Sequence, residues 1–388
     1  MIKVFIRTFI NPLSEFLNDS RAIGISLLVS TVLSLLITNT FGGNLYTAFW
    51  KTGININFGF IHLPHSLVHW INDGLMTLFF FLVGMEIKRE LLHGELSSTK
   101  QALLPAAAAI GGMLVPALIY LLFNYQTAFV GGWGIPTATD IAFSLGIASL
   151  LGKKVPLSLK IFLTALAIID DLGAILVIAL FYGEMVHWMY LFSAIFTAIF
   201  IYLTNIITRK FGFVQILLGI VLWYFTYSSG IHPTISGVVF AFLVPLKYLA
   251  TYENKIHHQV YFIILPLFAL ANTAIILPEK GIEILNNSMP IGIMLALSIG
   301  KPIGITIASW ILVKSKMSAL PNGTSWSQMI GAGLLAGIGF TMSIFIATLA
   351  FNVEEAIDTA KLAILLSSFI SMIAGYSWLY FSYNHEKK

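Results

Sequence analysis

Long apolar stretches separated by short polar segments run along almost the whole chain. Most of them are close to the roughly 20 residues that a helix needs to cross the hydrocarbon core of a bilayer. The pattern predicts an all-α membrane protein with about twelve membrane-spanning helices. The predicted spans are Ala22–Thr40, Leu67–Lys88, Ala102–Phe123, Gly134–Leu150, Leu157–Tyr182, Trp188–Ile207, Phe213–Tyr227, Pro233–Leu249, Val260–Leu277, Pro290–Val313, Met329–Phe351 and Ala360–Tyr380.

Basic residues are distributed unevenly between the two sides of these spans. Of the 21 Lys and Arg residues, 17 fall in the termini and the loops on one side, three fall on the other side, and Lys301 lies within a span. Loops rich in Lys and Arg face the cytoplasm. The distribution therefore predicts an even number of spans with both termini in the cytoplasm.

Composition supports the same class and narrows the possible chemistry. The 388 residues are 58% hydrophobic and 10% charged, with a mean hydropathy of +0.89. We therefore expect one transmembrane domain over residues 1–388, with the lipid bilayer as its surroundings. The net charge of +4 is explained by the basic loops and does not require a nucleic-acid partner. The absence of cysteine from the sequence excludes disulfides, thiolate metal sites and cysteine nucleophiles.

Two adjacent aspartates, Asp170 and Asp171, lie midway along the apolar stretch Leu159–Tyr182. No other charge occurs in the 23 residues between Lys160 and Glu184. A carboxylate at the centre of a span costs about 2.5 to 3.5 kcal/mol to insert, so such residues usually serve an ion or proton site. The alternative is a structural pair satisfied by hydroxyl groups. Successive helical residues point about 100° apart, so the two carboxylates are not expected to share one partner.

Another isolated charge, Asp140, lies in the glycine-rich segment GGWGIPTATDIAFSLG (131–146). Proline removes a backbone donor and glycine weakens a helix, so this span is expected to be interrupted. A second glycine-rich span, GAGLLAGIGFTMS (331–343), follows about 200 residues later. Two interrupted spans in the two halves of a chain mark the binding site of transporters built from inverted repeats. Close helix packing is the alternative reason for the glycines.

Lys301 is the only charge in residues 284–313. Because it is too far from either end of its span to reach the interface comfortably, it needs a buried partner. One of the two adjacent aspartates is the simplest choice.

Several polar residues near span ends are weaker candidates. They can form a solvated rim, satisfy structural hydrogen bonds, or titrate as an entrance or a pH sensor. These candidates are Asp73, Glu86, Arg89, Glu90, His232 and Glu253.

The extracytoplasmic segment 45–62 differs from the other loops. Apolar residues alternate with Asn and Gly from Ile54 to Phe60, after Lys51, at the two-residue period of a strand. We predict a small β-hairpin over 45–62, and its open edges make it a candidate homodimer contact. An irregular loop on the membrane surface is the alternative.

Carboxylates are the main buried chemistry of this sequence, and they bind protons or hard cations. If both compete for one site that reorients across the membrane, the result is antiport. Nucleotide-binding loops, zinc motifs and the GxSxG elbow are missing from the sequence. An intramembrane aspartyl protease is one alternative, but its GxGD motif is missing too. A sodium-coupled solute symporter is the other, and the sequence shows no pocket for an organic solute.

The segments GIPTATDIAFSLG, LAIIDDLGAI, GKPIG, LPLFALAN, GIGFTMSIFI and NDGLMTLFFFLVGMEIKREL closely resemble the NhaA-type sodium/proton antiporters of bacterial inner membranes. The resemblance covers nearly the whole chain. It implies a transporter, not an enzyme, that exports Na+ or Li+ in electrogenic exchange for periplasmic H+. It further implies activation at alkaline pH, a role in pH homeostasis, a homodimer and no cofactor.

The resemblance also assigns residues. Asp171, Asp170 and Thr139 would be the ligands of the transported Na+, with Lys301 paired to Asp170 and Asp140 at a helix break. A pH-responsive cytoplasmic mouth would contain Glu86, Arg89, Glu90 and Glu253, with His232 on the opposite side of the membrane. The sequence departs from the family's best-known members at Asn254, where a histidine is expected.

For the fold, the resemblance implies inverted repeats formed by spans three to five and ten to twelve, with the fourth and eleventh spans broken and crossing. The transport bundle would be residues 100–182 and 290–382, and the dimerisation part 22–99 and 188–278. Crossed half-helices bring like ends together, so Asp140 suits the positive ends and Lys301 the negative ends.

Overall fold

A computed structural model describes residues 20–40, 42–54, 64–183, 185–208, 210–277 and 286–386. Within these ranges the regular secondary structure is helical, apart from an isolated antiparallel bridge between Gly53 and Ser66. The predicted all-α class is confirmed. The helices are α1 (Ser20–Thr38), α2 (Gly43–Lys51), α3 (Leu67–His93), α4 (Thr99–Asn124), α5 (Ile141–Leu150), α6 (Leu157–Phe181), α7 (Trp188–Thr208), α8 (Phe213–Ser228), α9 (Thr234–Leu243), α10 (246–272), α11 (Ser288–Lys314), α12 (Trp326–Ala336), α13 (Phe340–Ala350) and α14 (Glu354–Glu386).

Seven of the described helices are long and apolar enough to cross a membrane: α1, α3, α4, α6, α7, α11 and α14. The pair α12 and α13, bent by 45° at a short break, forms an eighth if it is counted as one span. The helices α8 and α9 are apolar but shorter. The protein is therefore a multi-span membrane protein.

One predicted boundary is wrong. The eighth predicted span continued to Leu249, but α9 ends at Leu243 and α10 runs without interruption from residue 246 to residue 272. Pro245 explains the difference, because it lacks an N–H group and forces the preceding residue out of the helical conformation. Val244 accordingly has a ψ of 123°. The ammonium group of Lys88 then donates to the carbonyls of Phe242 and Val244 at 2.7 and 2.6 Å, capping α9.

The predicted hairpin over 45–62 is wrong at its start, because Leu45 to Lys51 belong to α2. Tyr46 and Trp50 lie one turn apart, and their rings meet edge to face with centroids 5.8 Å apart. This contact between residues one turn apart stabilises the helix. Gly53 pairs with Ser66, and the amide of Ile54 donates to the carbonyl of His65. The alternating residues 55–60 lie outside the described residues.

The described residues pack into two compact units. The first comprises the described parts of Met1–Val32, Ser98–Asp170 and Pro278–Lys388, and the second those of Leu33–Ser97 and Asp171–Leu277. The chain passes from one unit to the other within α1 and within α6.

In the first unit, α4 lies directly against α11. Gly111 and Gly304 meet there, and a methyl group on either would collide with the carbonyl oxygen of the other. Small residues allow this close approach between membrane helices. At the end of the pair, the side-chain amide of Asn124 donates to the carbonyl of Ser288 at 3.2 Å. This close packing fixes α11, the helix that carries Lys301.

In the second unit, α3 packs in the same way against α9. The space above Gly84 is closed by Val238 and Ala241, and Gly237 lies against the backbone of Thr77. The α3–α9 pair positions the second set of candidate residues, because Asp73 lies near the start of α3 and Arg89 near its end.

Candidate functional site

The predicted interruption of the fourth span is confirmed. A 3₁₀ helix over Val130–Thr137 is followed by Ala138 in an extended conformation, and Asp140 then begins α5 as its N-cap. The second glycine-rich span is also interrupted, between α12 and α13. The two breaks contact each other, since the amide of Asp140 donates to the carbonyl of Ile338 at 2.7 Å.

Asp140 lies at the beginning of two helices. One carboxylate oxygen accepts a hydrogen bond from the amide of Phe143 at 3.0 Å, in the first turn of α5. The other accepts from the amide of Thr341 at 3.1 Å, in the first turn of α13, and also from the hydroxyl of Thr341. The side chain is buried, with 2% exposed. Because helix N-termini carry partial positive charge, this position stabilises a carboxylate inside the protein.

Lys301 is completely buried on α11, directly after the π-helical segment Ala296–Gly300. Its ammonium nitrogen lies 3.1 Å from Oδ2 of Asp170, so the structure joins the pair expected from the sequence. It also donates to the carbonyl of Thr137 at 2.6 Å, at the negative end of the 3₁₀ helix. A buried ammonium group is tolerated only with such partners.

Asp170, fully buried on α6, connects Lys301 to the first break. Its Oδ2 also accepts from the hydroxyl of Thr139 at 2.6 Å. The oxygen of that hydroxyl lies 3.0 Å from the carbonyl of Ala336 as well, so its single proton can serve either acceptor. Oδ1 of Asp170 has no hydrogen-bond partner within the described ranges. This carboxylate therefore has one oxygen that is shared and one that can bind a further ligand.

Asp171 occupies the next position of α6 and is buried too, with 2% exposed. Two carboxylates consequently lie side by side in the chain at membrane depth. In the part of the chain that the structure describes, no group of three His, Asp or Glu side chains is arranged to hold a metal ion.

Comparison with known proteins identifies the family. Its sequence profile, described as Na+/H+ antiporter 1, matches residues 14–379. The chain belongs to this family.

Individual relatives agree with the profile. Each of three is named Na(+)/H(+) antiporter NhaA. The relative from Sulfurovum sp. (strain NBC37-1) is 44% identical over 378 residues, which cover 94% of this chain and 96% of that protein. The relative from Citrobacter koseri is 46% identical over 377 residues, with 95% and 97% covered. That from Cytophaga hutchinsonii is 46% identical over 371 residues, with 94% of each chain covered. The resemblance noted in the sequence motifs is confirmed, and this Na+/H+ antiporter family consists of transporters rather than enzymes.

Two residues of the candidate site were not found from the sequence. The hydroxyl of Thr341 donates to the carboxylate of Asp140, although the two residues are 201 positions apart in the chain. The sequence feature that could have identified Thr341 is its position directly after the second glycine-rich break. Ser343, which donates to the carbonyl of Ile135 at 2.7 Å, joins α13 to the 3₁₀ helix. A hydroxyl in an apolar helix gives no sequence signal for such a distant acceptor.

A second group of charged residues in this antiporter, the charge cluster, joins the end of α3 to α10. Arg89 forms ion pairs with Glu253 and with Glu90, the latter at 3.4 Å. Glu86 lies one turn earlier on α3 and is partly exposed. Burial raises the pKa of Glu253, and the guanidinium of Arg89 partly opposes the change. The structure thus places these four predicted residues at one end of α3 and α10.

His257 lies one turn after Glu253 on α10. Burial lowers the pKa of His257, and the neighbouring His258 lowers it further. The lowered pKa favours the neutral form of His257 beside the charge cluster.

His232 and Asp73 were predicted separately, and the structure brings them together. Nε2 of the histidine lies 3.6 Å from Oδ1 of Asp73, and Nδ1 lies 2.8 Å from the hydroxyl of Thr234. The carbonyl of Asp73 accepts from the indole of Trp223 at 2.8 Å. Sixteen residues of helix separate Asp73 from Arg89, or about 24 Å. The histidine and the charge cluster therefore lie at opposite ends of α3.

We expect Glu253→Gln to shift the activity profile toward alkaline pH. Glutamine resembles the protonated acid, so Arg89 lacks the negative charge of its Glu253 partner at every pH, as it does in the wild type only below the raised pKa of Glu253. Sodium-driven dissipation of a pH gradient, measured in vesicles over a series of pH values, gives the midpoint. Glu95→Gln, at an exposed residue of the same region, is the matched control and should leave the midpoint unchanged. Equal midpoints in both variants would show that Glu253 does not control activation.

Proposed function

We propose that the protein is a secondary active antiporter that exports Na+, and also Li+, in exchange for external H+. The observation that carries this proposal is the state of Asp170. It is fully buried, it shares one oxygen with Lys301 and Thr139, and its other oxygen has no partner among the described residues. A buried carboxylate in this condition binds a proton or a small hard cation. Membership of the Na+/H+ antiporter 1 family supports the same exchange.

In this proposal Asp171, Asp170 and Thr139 supply the oxygen ligands of the transported Na+. Protons and Na+ compete for the same carboxylates, so loading with one ion requires release of the other. The loaded site then reorients, which gives alternating access. Asp140 and Lys301 neutralise the ends of the interrupted helices without binding the ion.

The finer architecture is also a proposal. Twelve spans with inverted repeats would use the shorter helices α8 and α9, the helix α10 and both interrupted segments in addition to the seven long apolar helices. The excess of Lys and Arg in one set of loops supports cytoplasmic termini in a bacterial inner membrane. We infer that residues 100–182 and 290–382 form the transport bundle and residues 22–99 and 188–278 the dimerisation part.

Proteoliposomes with an imposed pH gradient test the exchange directly. Addition of NaCl or LiCl should dissipate the gradient, whereas choline chloride should not, because only a small hard cation can replace the protons on the carboxylates. A potassium diffusion potential should change the rate, since the proposed exchange is electrogenic. Protein-free liposomes are the control. A gradient that survives sodium, or that collapses only when an organic solute is added, would exclude the antiporter.

We further propose a homodimer that forms through the segment 45–62. Residues 55–62 can be deleted between the paired positions Gly53 and Ser66, so the rest of the fold should persist. The deletion should shift the purified protein toward the monomer, as measured by light scattering with correction for bound detergent. Deletion of residues 318–323, in the loop between α11 and α12, is the matched control. A dimer fraction equal to that of the wild type would place the interface elsewhere.

A further inference from the structure

The first turn of α13 has no side-chain cap of its own. A helix begins with backbone amides that have no acceptor within the helix, and a Ser, Thr, Asp or Asn side chain at the N-cap usually supplies one. The N-cap of α13 is Gly339, which has no side chain to accept a hydrogen bond. Its carbonyl accepts from the amide of Ser343 at 2.9 Å. The earlier amides, including those of Phe340 and Thr341, therefore need acceptors from other parts of the chain.

Steric packing explains why this N-cap is a glycine. A side chain on Gly339 would collide with the hydroxyl group of Ser343 and would lie 3.1 Å from Cδ2 of Leu297. The Ser343 hydroxyl is held in place, because it donates to the carbonyl of Ile135 at 2.7 Å. A serine or an aspartate consequently has no room at this position, and the cap has to come from another helix.

Two other helices supply the acceptors. The amide of Phe340 donates to the hydroxyl oxygen of Ser368 on α14 at 3.2 Å, in a buried contact. The amide of Thr341 donates to Asp140, the N-cap of α5, at 3.1 Å. Because the two donors belong to consecutive residues, the position of one constrains the position of the other. We infer that Ser368 caps α13 from α14 and is a positioning residue, which holds Thr341 against Asp140.

The neighbouring serine on α14 forms a different kind of hydrogen bond. Ser367 is fully buried, and its hydroxyl donates to the carbonyl of Ile364 in its own helix at 3.0 Å. Such bonds within one helix are common for serine. The hydroxyl oxygen of Ser368 instead accepts from α13, so it links two helices. The two adjacent serines therefore form a matched pair for experiments.

The side chain of Phe340 reinforces the connection between α13 and α5. Its ring is buried and meets the ring of Phe143 edge to face, with centroids 5.0 Å apart. Phe143 is the residue whose amide donates to the other carboxylate oxygen of Asp140. The amide of Phe340 is thus fixed by α14 and its ring by α5. Removal of the Ser368 oxygen would release the first of these two attachments.

The consequence for transport rests on the proposed function, in which Thr139 is a ligand of Na+. Asp140 directly follows Thr139 in the chain. Without the Ser368 oxygen, part of the binding free energy of Na+ is needed to order the first turn of α13 and the residues bonded to it. The apparent affinity for Na+ should then fall. The maximal rate should change less, because saturating Na+ restores the ordered arrangement.

Hydrogen–deuterium exchange of the full-length protein in detergent tests the cap without a transport measurement. Ser368→Ala removes the acceptor, so amides in a peptide covering residues 337–342 should exchange about two- to tenfold faster, as expected for the loss of one hydrogen bond. Ser367→Ala is the matched control and should leave the exchange of this peptide unchanged. Equal exchange in Ser368→Ala and in the wild type would overturn the inference.

Sodium titrations in the proteoliposome assay test the effect on the ion site. Ser368→Ala should raise the Na+ concentration for half-maximal rate by about two- to tenfold and should change the maximal rate by less than about twofold. Ser367→Ala should leave both values close to those of the wild type. An unchanged half-maximal concentration in Ser368→Ala would overturn the positioning role, even if exchange became faster. Wild-type protein that does not respond to sodium would instead contradict the antiport, and the exchange measurement would then decide the role of Ser368.

Discussion

Asp171→Asn should abolish sodium-driven proton movement while the protein still folds and inserts. Asparagine keeps the size of the side chain but removes the anion, so the site can neither bind Na+ nor release a proton in exchange. Transport in the proteoliposome assay should fall to the level of protein-free liposomes, and binding of ²²Na+ should be lost.

The control for this prediction is Asp358→Asn, at an acidic residue in the second turn of α14 that is outside the proposed site. It should retain both transport and binding. Sodium-dependent exchange that persists in Asp171→Asn would remove Asp171 from the proposed ligands, and an equal loss in Asp358→Asn would point to a general effect of the substitution.

Lys301→Ala should destabilise the protein as well as inactivate it. The change leaves the Asp170 carboxylate and the Thr137 carbonyl buried without their ammonium partner. Removal of one partner from a buried ion pair costs about 3 to 5 kcal/mol of the free energy of unfolding. The melting temperature in a fixed detergent should fall accordingly.

A double variant distinguishes the effect on stability of removing both charges of the pair from the effect of removing only one. Asp170→Asn combined with Lys301→Gln removes both charges, so no unpaired charge remains and the melting temperature should recover relative to Lys301→Ala. Lys301→Gln alone is the matched single variant and should be less stable than the double variant. If the double variant is no more stable than either, the Asp170–Lys301 contact contributes nothing to the fold.

The most accurate predictions concern residues inside the bilayer, where an unpaired charge or an unsatisfied backbone group has a high cost in free energy. A charge inside a span needs a partner, so Lys301 could be paired with one of the two adjacent aspartates, and the family resemblance selected Asp170. Glycine and proline marked both breaks. Pro245 likewise indicates the end of α9, although the apolar pattern continues beyond it. Local patterns determined these features.

The remaining contacts depend on packing between distant parts of the chain. The contacts of Asp140 with Thr341 and of Asp73 with His232 join residues far apart in sequence, and neither pair is implied by spacing. The prediction of a hairpin in place of α2 was wrong for another reason. The apolar residues of α2 suit a helix or a strand equally, and the contact between Tyr46 and Trp50 favours the helix.

The carboxylate of Asp140 has a mechanical consequence. It holds the first turns of α5 and α13 at once, while its amide is bonded to Ile338 in the opposite break. A rotation of either half-helix alone would leave an amide unsatisfied at membrane depth, at a cost of several kcal/mol. The first turns of α5 and α13 are therefore expected to move together, not about two independent hinges. Asp170 contacts Thr139 and Lys301, so it should follow the same movement.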